Sequence, residues 1–316
     1  MSGVGSPAFL PPASFVRSPE ALHRAWSPAE GCAYTRWLAT HHYENFHVVS
    51  FLLPKRLHQD FYNVYAYCRW ADDLADEMGD PAESLRLLAW WRDELDGMYR
   101  GHATHPVFAA LGPTVARYGI PRQPFSDLID AFVQDQTVTR YLNWDQLSGY
   151  CRNSANPVGR LVLYLAGYSD DARQRLSDAT CTALQLANFW QDVTVDLLKD
   201  RVYIPLELMQ RHGYALEDLS ARRFTPAFAA VMREAVSHTR RLFLDGLPLA
   251  RMVDRRLAID LDLFSRGGMR VLDKIERHGY NVLVARPAIS RVERAGLLLG
   301  SVARIAFTNW GGRRAA

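Results

Sequence analysis

The chain's 316 residues, of which 48% are hydrophobic, suffice for a large apolar core or a long apolar cavity. A formal net charge of only +3, with arginines spread along the whole length, argues against nucleic acid as a partner, because a basic stripe would be expected. Four widely spaced cysteines include no Cys-x-x-Cys pair: Cys32, Cys68, Cys151 and Cys181. We therefore expect reduced packing cysteines in a cytoplasmic protein, not a disulfide framework.

The two ends of the chain are predicted to be tails. Residues 1–20 are rich in glycine and proline and lack the basic start and apolar stretch of a secretory signal, which predicts a disordered N-terminal tail. Residues 309–316 are predicted to form a basic C-terminal tail. The apolar run 295–307 is shorter than the ~20 residues that span a bilayer. It predicts a core helix, with peripheral contact at the inner face of the membrane as the alternative.

Helical periodicity dominates between these tails. It predicts helices over residues 29–40, 56–78, 82–100, 106–118, 124–137, 144–152, 157–168, 170–198, 226–245, 254–278 and 288–306. Turn signals interrupt the pattern at Gly79-Asp80-Pro81, Gly119-Ile120-Pro121, Tyr203-Ile204-Pro205 and Gly246-Leu247-Pro248. Neither an internal repeat nor a long linker divides the sequence, so we predict one all-α domain over residues 21–308.

The predicted helix 56–78 carries an acidic cluster, Asp72-Asp73-Leu74-Ala75-Asp76. A spacing of four places Asp72 and Asp76 one turn apart on the same face of that helix. Tyr65 and Arg69 extend this face towards the N-terminus. The guanidinium of Arg69 suits either an ion pair with Asp72 or a phosphate. A solvated helix face with a routine ion pair is the alternative explanation of this cluster.

A second polar ladder lies on the predicted helix 170–198, whose other sides are apolar, and it consists of Gln185, Asn188, Asp192 and Asp196. One polar face on an otherwise apolar helix is typical of a pocket lining. An amide oxygen one turn before two carboxylates suits a hard cation such as Mg²⁺. In the loop that follows, Lys199 and Arg201 are candidates to contact a diphosphate, although isolated surface charges are the alternative.

Paired carboxylates in an apolar helix are costly unless a cation compensates them. Two unit charges about 4 Å apart repel by roughly 4 kcal/mol at an effective dielectric of about 20. Mg²⁺ bridged to a phosphorylated substrate relieves this repulsion. We therefore predict that the two motifs face a common apolar cavity and promote departure of diphosphate from an isoprenoid. Aromatic faces and the exclusion of water would protect the carbocation there.

These residues resemble a known family, the squalene/phytoene synthases. The resemblance covers roughly residues 35 to 290 and rests on both acidic motifs together with Glu44-Asn45-Phe46, Leu52-Leu53-Pro54 and Arg201-Val202-Tyr203-Ile204-Pro205. It implies an all-α isoprenoid synthase fold, a class I terpenoid synthase bundle around a central apolar cavity. It also implies a magnesium cluster and head-to-head coupling of prenyl diphosphates through a cyclopropyl intermediate.

Site roles follow from the resemblance by position. The implied metal ligands are Asp72, Asp73, Asp76, Asn188, Asp192 and Asp196. Diphosphate would meet Arg69, Lys199 and Arg201, and the substrate cavity would be lined by Asn45, Phe46, Tyr65, Tyr150 and Gln185. The residues expected to carry catalysis are Asp72, Asp76, Asp192, Asp196, Tyr150 and Asn156.

Departures from the family pattern indicate one branch. The chain has Ala155-Asn156-Pro157-Val158-Gly159 where most members have Ala-Gly-x-Val-Gly, and Gln191 where many have arginine. These features, with residues 134–141, resemble the HpnC-type synthases of bacterial hopanoid pathways. That branch implies ionisation of presqualene diphosphate and capture of the cation by water, giving hydroxysqualene. We hypothesise that the Asn156 carboxamide positions the attacking water.

Other readings stay open. A related member would make presqualene diphosphate, squalene or phytoene from two prenyl diphosphates such as farnesyl diphosphate. A terpene cyclase or chain-elongating prenyltransferase also carries Asp-Asp-x-x-Asp, but the form of the second motif favours the head-to-head family. A catalytically silent scaffold is the remaining alternative, and the intact aspartates argue against it. Expected companions are a presqualene diphosphate synthase and a hydroxysqualene oxidoreductase.

Overall fold

The computed structural model describes residues 9–41 and 54–307 of the chain. Within these ranges the backbone forms helices and loops, and its β pairing is an isolated parallel bridge between Arg140 and Val202. The chain divides into two compact units, the first ending at Thr137 and the second beginning at Val138. The all-α prediction is confirmed, whereas a single domain over residues 21–308 stays a prediction.

The helices of the first unit include each one predicted there. In chain order they are α1 (Pro12–Phe15), α2 (Pro19–His23), α3 (Pro28–His41), α4 (His58–Asp76), α5 (Pro81–Tyr99), α6 (Pro106–Tyr118) and α7 (Gln123–Asp135). A 3₁₀ turn, Lys55–Leu57, precedes α4. The sequence pattern did not predict α1 and α2, because helices this short show no apolar period.

The second unit begins with α8 (Trp144–Ser154), α9 (Asn156–Leu165) and α10 (Asp171–Asp196). It continues with α11 (Leu206–Arg211), α12 (Leu216–Ser220), α13 (Pro226–Gly246), α14 (Arg255–Arg277) and α15 (Arg291–Phe307). The short helices α11 and α12 were not predicted, for the same reason as α1 and α2. The long helices agree with their predicted ranges to within a few residues.

Helix boundaries fall where the sequence supplies caps. The Asp80 side chain accepts a hydrogen bond from the Ala82 amide at the start of α5, and Asp170 accepts one from the Arg173 amide at the start of α10. Gly119 ends α6 in the left-handed conformation, with φ of 60°, which glycine adopts without steric cost. Capping residues in the local sequence therefore determine where α5 and α10 begin and where α6 ends.

Helix α4 is the centre of the first unit, because α3, α5, α6 and α7 all pack against it. Its Trp70 stacks on Trp91 of α5, with ring centroids 5.1 Å apart. The buried Asn63 amide accepts a hydrogen bond from the Thr35 hydroxyl at 2.7 Å and donates one to the Ala110 carbonyl at 3.0 Å. These bonds tie α3, α4 and α6 together, since an unpaired buried amide costs about 1–3 kcal/mol.

The prediction of a disordered tail over residues 1–20 is wrong for residues 9–20. Phe15 of α1 is 1% exposed and lies in the core of the first unit. The Tyr34 hydroxyl of α3 donates a hydrogen bond to the Leu10 carbonyl at 2.9 Å. The apolar side chains in this segment outweigh its proline content, because burying each one stabilises the fold by about 1.5–3 kcal/mol. Residues 1–8 and the predicted tail 309–316 lie outside the described residues.

Helix α10 is the centre of the second unit, where α8, α9, α13 and α14 pack against it. The Trp190 indole N–H of α10 donates a hydrogen bond to the Thr239 hydroxyl of α13 at 2.7 Å. Near the end of α13, Gly246 approaches α10 so closely that a Cβ there would lie 2.1 Å from the Thr180 hydroxyl oxygen. The second acidic motif therefore also lies on the helix that organises its unit.

Helix α15 is only partly a core helix. Its Ser301 and Ile305 are buried, whereas Val292, Leu299 and Val302 are exposed. In the part of the chain that the structure describes, no helix combines the length and apolarity needed to cross a membrane. One face of α15 therefore packs in the core as expected. A second face, which carries the exposed valines and leucine, lies on the surface.

Two adjacent glycines of α14 give a matched test of core packing. A Cβ on Gly268 would lie 2.1 Å from the buried Phe243 ring, whereas a Cβ on Gly267 would meet nothing within 4 Å. We expect Gly268→Ala to destabilise the protein by about 1–3 kcal/mol through overpacking. Gly267→Ala should stabilise it by about 0.5–1 kcal/mol, because alanine is the better helix former. Denaturant unfolding of both variants checks this, and equal shifts would contradict the packing of α13 on α14.

Candidate active site

The first acidic motif occupies the last turn of α4. Its middle carboxylate, Asp73, is 2% exposed and forms an ion pair with the Arg69 guanidinium at 2.5 Å. Asp72 is 46% exposed and pairs with the same guanidinium at 3.3 Å, and Glu77 pairs with it at 3.1 Å. Asp76 is exposed. The predicted pairing of Arg69 with Asp72 is therefore present, and the buried Asp73 is its closest partner.

Burial distinguishes the three aspartates of this motif. The pKa of Asp73 is raised to about 7, first by burial and further by Glu77 and Asp72, while Arg69 opposes the shift. Tyr65, one turn before Arg69, is half-buried, and burial raises the pKa of its hydroxyl. Asp72 and Asp76 thus present their carboxylates on the surface of the unit, whereas Asp73 is held inside it. The metal and diphosphate roles of these residues stay predictions.

The second motif occupies the last three turns of α10. Asn188 is exposed, and Gln185, Asp192 and Asp196 are half-buried. The remaining sides of the same stretch are packed in the core, through Ala183, Leu186, Ala187, Phe189, Trp190 and Val193. The ladder is therefore a polar face beside a largely buried apolar side of α10, although Val195, also part of the apolar pattern, is 44% exposed.

The two carboxylates of this ladder repel each other. Burial raises the pKa of Asp196 to about 7, and the negative charge of Asp192 raises it further, against Arg201, Lys199 and Arg286. Both groups also lie at the C-terminal end of α10, where the helix dipole is negative and acidic side chains are disfavoured. This arrangement favours a bound cation, because positive charge between the two carboxylates offsets their mutual repulsion.

A cation that the sequence pattern did not reveal pairs with Asp192. The Arg286 guanidinium grips this carboxylate with two nitrogens: Nε donates to Oδ1, and Nη2 donates to Oδ2 at 3.1 Å. Beside it, the Gln191 amide donates to the Pro287 carbonyl. Arg286 lies in the connection between α14 and α15, far along the chain from α10. No spacing rule relates the two segments, so only the tertiary structure reveals the pair.

The loop after α10 folds back against the last residue of the second motif. A 3₁₀ turn, Leu197–Lys199, is followed by Asp200 in the left-handed conformation, with φ of 54°. The Arg201 amide then donates a hydrogen bond to the Asp196 carbonyl at 2.9 Å. The Lys199 side chain is exposed and that of Arg201 half-buried. The two predicted diphosphate contacts therefore follow Asp196 closely in sequence, and the charges of both act on its carboxyl group.

Tyr150 belongs to an aromatic cluster near this motif. Its ring centroid lies 5.9 Å from that of Tyr203, and Tyr203 stacks on Phe189 of α10 at 3.6 Å. Tyr150 is 5% exposed, so its ring is largely covered within the unit. Asn45 and Phe46, predicted to line the same substrate cavity, lie outside the described residues.

Asn156, the first residue of α9, is buried and braced against α10. Its carboxamide oxygen accepts a hydrogen bond from the Thr182 hydroxyl at 2.9 Å. This bond uses one of the two acceptor positions of the carboxamide oxygen, so the second lone pair and the amide NH₂ are left for other partners. The predicted contact of Asn156 with water stays a hypothesis.

The oxygen donors suit magnesium, although neither unit completes a metal site. Over their described residues, neither unit gathers three or more His, Cys, Asp or Glu side chains into a metal-binding group. The first motif offers the exposed pair Asp72 and Asp76, and the second offers Asp192, Asp196 and the amide of Asn188. Carboxylate and amide oxygens are the ligands that a hard cation prefers. The raised pKa of Asp196 is consistent with a place for positive charge.

A sequence profile of the squalene/phytoene synthases matches residues 39–293, a range that includes both acidic motifs. The chain belongs to the squalene/phytoene synthase family. This result confirms the resemblance read from the motifs. The protein is therefore an enzyme of this family, whose members act in isoprenoid biosynthesis.

Three relatives illustrate where this squalene/phytoene synthase lies within its family. It is 34% identical over 258 residues to a phytoene synthase of Thermus thermophilus, covering 81% of this chain and 87% of that protein. It is 35% identical over 240 residues to a hydroxysqualene synthase of Rhodopseudomonas palustris, covering 75% and 81%. The crystal structure of squalene synthase HpnC from Alicyclobacillus acidocaldarius matches with a TM-score of 0.78 and 44% identity, covering 80% and 96%. The relatives share the family and the predicted all-α fold, and they differ in the reactions after which they are named.

The electrostatics of the second motif give a pH prediction. In the metal-free protein we expect the Asp196 carboxyl to be half-protonated near pH 7, and Asp192→Asn to lower that pKa by removing the neighbouring charge. Because the neutral acid is a poor ligand, affinity for a divalent cation should fall as the pH drops below about 7. A carbon-13 NMR titration of the aspartate carboxyls measures the pKa, with Asp171→Asn at the other end of α10 as the control. An ordinary aspartate pKa of about 3.9 in the wild type would contradict the burial of Asp196.

Proposed function

We propose that this enzyme ionises presqualene diphosphate and lets water capture the cation, giving hydroxysqualene and diphosphate with Mg²⁺ as cofactor. Support comes from the 35% identity to a hydroxysqualene synthase and from the 44% identity to squalene synthase HpnC. The departures at Gln191 and Ala155–Gly159 point to the same branch. Hydroxysqualene formation would be a step of squalene and hopanoid biosynthesis.

The observation that carries the ionisation chemistry is the pair of repelling carboxylates on α10. Asp192 and Asp196 lie one turn apart at the negative end of α10, beside the buried Phe189, Trp190 and Val193. A scaffold protein gains nothing from two acidic groups at the negative end of a helix, where Asp192 needs Arg286 as a partner and the pKa of Asp196 is raised. The arrangement therefore favours an enzyme that binds a metal–diphosphate complex over a catalytically silent member of the family.

The chain's own residues divide the work of binding. The proposed magnesium ligands are Asp72 and Asp76 in the first unit and Asn188, Asp192 and Asp196 in the second, whereas Asp73 is buried and paired with Arg69 and is therefore no longer proposed as a ligand. When bound, Mg²⁺ supplies positive charge that offsets the charge developing on the departing diphosphate. Arg69, Lys199 and Arg201 add cationic groups whose N–H donors suit phosphate oxygens. Tyr65 extends the polar face of α4 and Gln185 that of α10, each within its own unit, and both are proposed to contact the isoprenoid part of the substrate.

The bond changes balance without an external oxidant or reductant. The C–O bond of the cyclopropylcarbinyl diphosphate breaks, and its electron pair leaves with the diphosphate. The aromatic cluster that includes Tyr150 offers ring faces, each worth about 0.5–2 kcal/mol to a cation. After the cation rearranges, a C–C bond of the cyclopropane ring breaks and its electron pair forms a double bond. A water oxygen forms the new C–O bond at the carbon released, and one proton of that water passes to the diphosphate. Asn156 would hold this water through its carboxamide, which is fixed in place by the bond from Thr182.

A second reaction is favoured by one specific comparison. The phytoene synthase of Thermus thermophilus covers more of this chain than the hydroxysqualene synthase of Rhodopseudomonas palustris does, 81% against 75%. The runner-up function is therefore head-to-head coupling of two prenyl diphosphates to presqualene diphosphate, squalene or phytoene. Both candidates need the same metal–diphosphate chemistry, and they differ in the substrate that enters.

Peripheral membrane contact fits the proposed product, a water-insoluble C30 alcohol. The exposed Val292, Leu299 and Val302 of α15 give the enzyme an apolar surface. The neighbouring Arg294 is exposed and suits anionic headgroups at the inner face of the membrane. A companion presqualene diphosphate synthase would supply the substrate, and a hydroxysqualene oxidoreductase would consume the product.

Removing the carboxylates of the second motif should abolish turnover. We expect the double change Asp192→Ala and Asp196→Ala to slow magnesium-dependent release of pyrophosphate by at least about 10³-fold, or roughly 4 kcal/mol in the barrier. Asp171→Ala, an exposed aspartate in the first turn of the same helix, is the matched control and should retain turnover. Intact turnover in the double variant would defeat the assignment of the second motif.

Separate feeding of the two substrates decides between the candidate reactions. With Mg²⁺ and presqualene diphosphate we expect hydroxysqualene whose oxygen comes from ¹⁸O-labelled water, and with farnesyl diphosphate alone we expect no product. Conversion of farnesyl diphosphate alone to presqualene diphosphate would instead establish the runner-up. Asn156→Gly should lower the share of hydroxysqualene, with Thr182→Val as the control that removes only the bracing bond. An unchanged share in Asn156→Gly would remove this residue from water capture.

A further inference from the structure

The connection between α14 and α15 is pinned at both ends and exposed in its middle. Val282 and Leu283 are buried at its start. Towards its end the Lys274 ammonium donates a hydrogen bond to the Ala288 carbonyl at 2.5 Å. Between these anchors Val284, Ala285 and Arg286 are exposed. We call residues 284–288 the strap.

Consecutive residues of the strap contact consecutive residues of α10. Arg286 forms the two-nitrogen ion pair with Asp192, and the next residue, Pro287, accepts a hydrogen bond from the Gln191 amide. One contact is an ion pair, and the other is a neutral bond to the backbone. The ion pair neutralises the charge of Asp192, and both contacts hold the strap backbone next to the second motif.

The ion pair and a metal ion compete for the same atoms. Arg286 engages both carboxylate oxygens of Asp192, which are the oxygens that a metal ligand would present. A divalent cation on this carboxylate would also lie a few ångströms from the guanidinium, where like charges repel strongly. Because 49% of the Arg286 side chain is exposed, it can leave Asp192 for solvent without unpacking a core.

We infer that Arg286 is a built-in counter-cation that neutralises Asp192 until a divalent metal displaces it, and that Gln191 is the positioning residue that holds the strap in place. Displacement removes one of the two contacts between the strap and the second motif and leaves the bond from Gln191 to Pro287, so metal loading and loosening of the strap are one event. The inference rests on the proposed function of Asp192 as a metal ligand. It also gives a physical reason for a neutral donor at position 191, since Gln191 binds the strap peptide while Arg286 supplies the charge.

Direct metal binding tests the competition without relying on turnover. Mn²⁺ binding to the full-length protein is measured by electron paramagnetic resonance for the wild type and for Arg286→Gln. We expect Arg286→Gln to tighten Mn²⁺ binding by about threefold to tenfold, the range set by losing one partly exposed ion pair. The Mn²⁺ affinity of Arg286→Lys should lie between those of the wild type and Arg286→Gln, because an ammonium group cannot donate to both carboxylate oxygens as a planar guanidinium does. Arg277→Gln, at the exposed end of α14, is the matched control and should bind as the wild type does.

Hydrogen exchange separates a displaceable strap from a purely structural ion pair. We expect added Mg²⁺ to speed exchange of the amides of the strap in the wild type. Gln191→Ala should speed exchange before any metal is added, and Mg²⁺ should then change it little. Unchanged strap exchange on adding Mg²⁺, or unchanged or weaker Mn²⁺ binding in Arg286→Gln, would overturn the inference.

One further variant distinguishes failure of this inference from failure of the proposed function. Asp192→Asn should lose most Mn²⁺ affinity while keeping its thermal unfolding midpoint within a few degrees. Wild-type affinity in Asp192→Asn would overturn the metal site itself and the strap inference with it. Loss of affinity there, combined with no gain in Arg286→Gln, would keep the metal site and overturn only the strap.

Discussion

Negative charge gathered at the C-terminal end of a central helix is the constraint on which each unit depends. The last turns of α4 and α10 end at Asp76 and Asp196, where the helix carbonyls already carry about half a negative charge. Natural helices favour cations at this position, so repeated aspartates there work against stability. Each unit surrounds such a helix with four others, which keeps the strained end in place. The fold therefore maintains two sites whose most favourable partner is a cation.

The two units neutralise this charge in different ways. In the first unit Arg69 comes from the same helix and grips the buried Asp73, so the pair forms as soon as α4 does. In the second unit Arg286 comes from a distant connection and grips Asp192 from the surface. A local pair that includes a buried carboxylate is difficult to replace, because breaking it leaves an uncompensated buried charge. In the long-range pair the Arg286 side chain is 49% exposed and that of Asp192 is 14% exposed, so Arg286 can leave at low cost when another cation takes its place. The second motif is therefore the one whose counter-cation is suited to exchange.

The residues that depart from the family pattern acquire contacts of their own. Gln191 binds the Pro287 carbonyl, and Asn156 accepts a hydrogen bond from Thr182. Both contacts join α10 to another element of the second unit. A glycine at position 156 or an arginine at position 191 would change the bracing of the helix that carries the second motif as well as its chemistry. These positions thus connect the identity of the branch with the geometry of the motif.

The sequence alone determined the all-α class, the long helices and the family, because apolar period, caps and motif spacing are local properties of the chain. It also placed the polar ladder of α10 on one face, since a helix has a fixed number of residues per turn. Tertiary structure alone decided that Phe15 packs into the core, that Asp73 is buried while Asp76 is exposed, and that Arg286 binds Asp192. These outcomes depend on which distant surfaces meet. Such encounters are set by packing of the whole unit, and no local spacing encodes them.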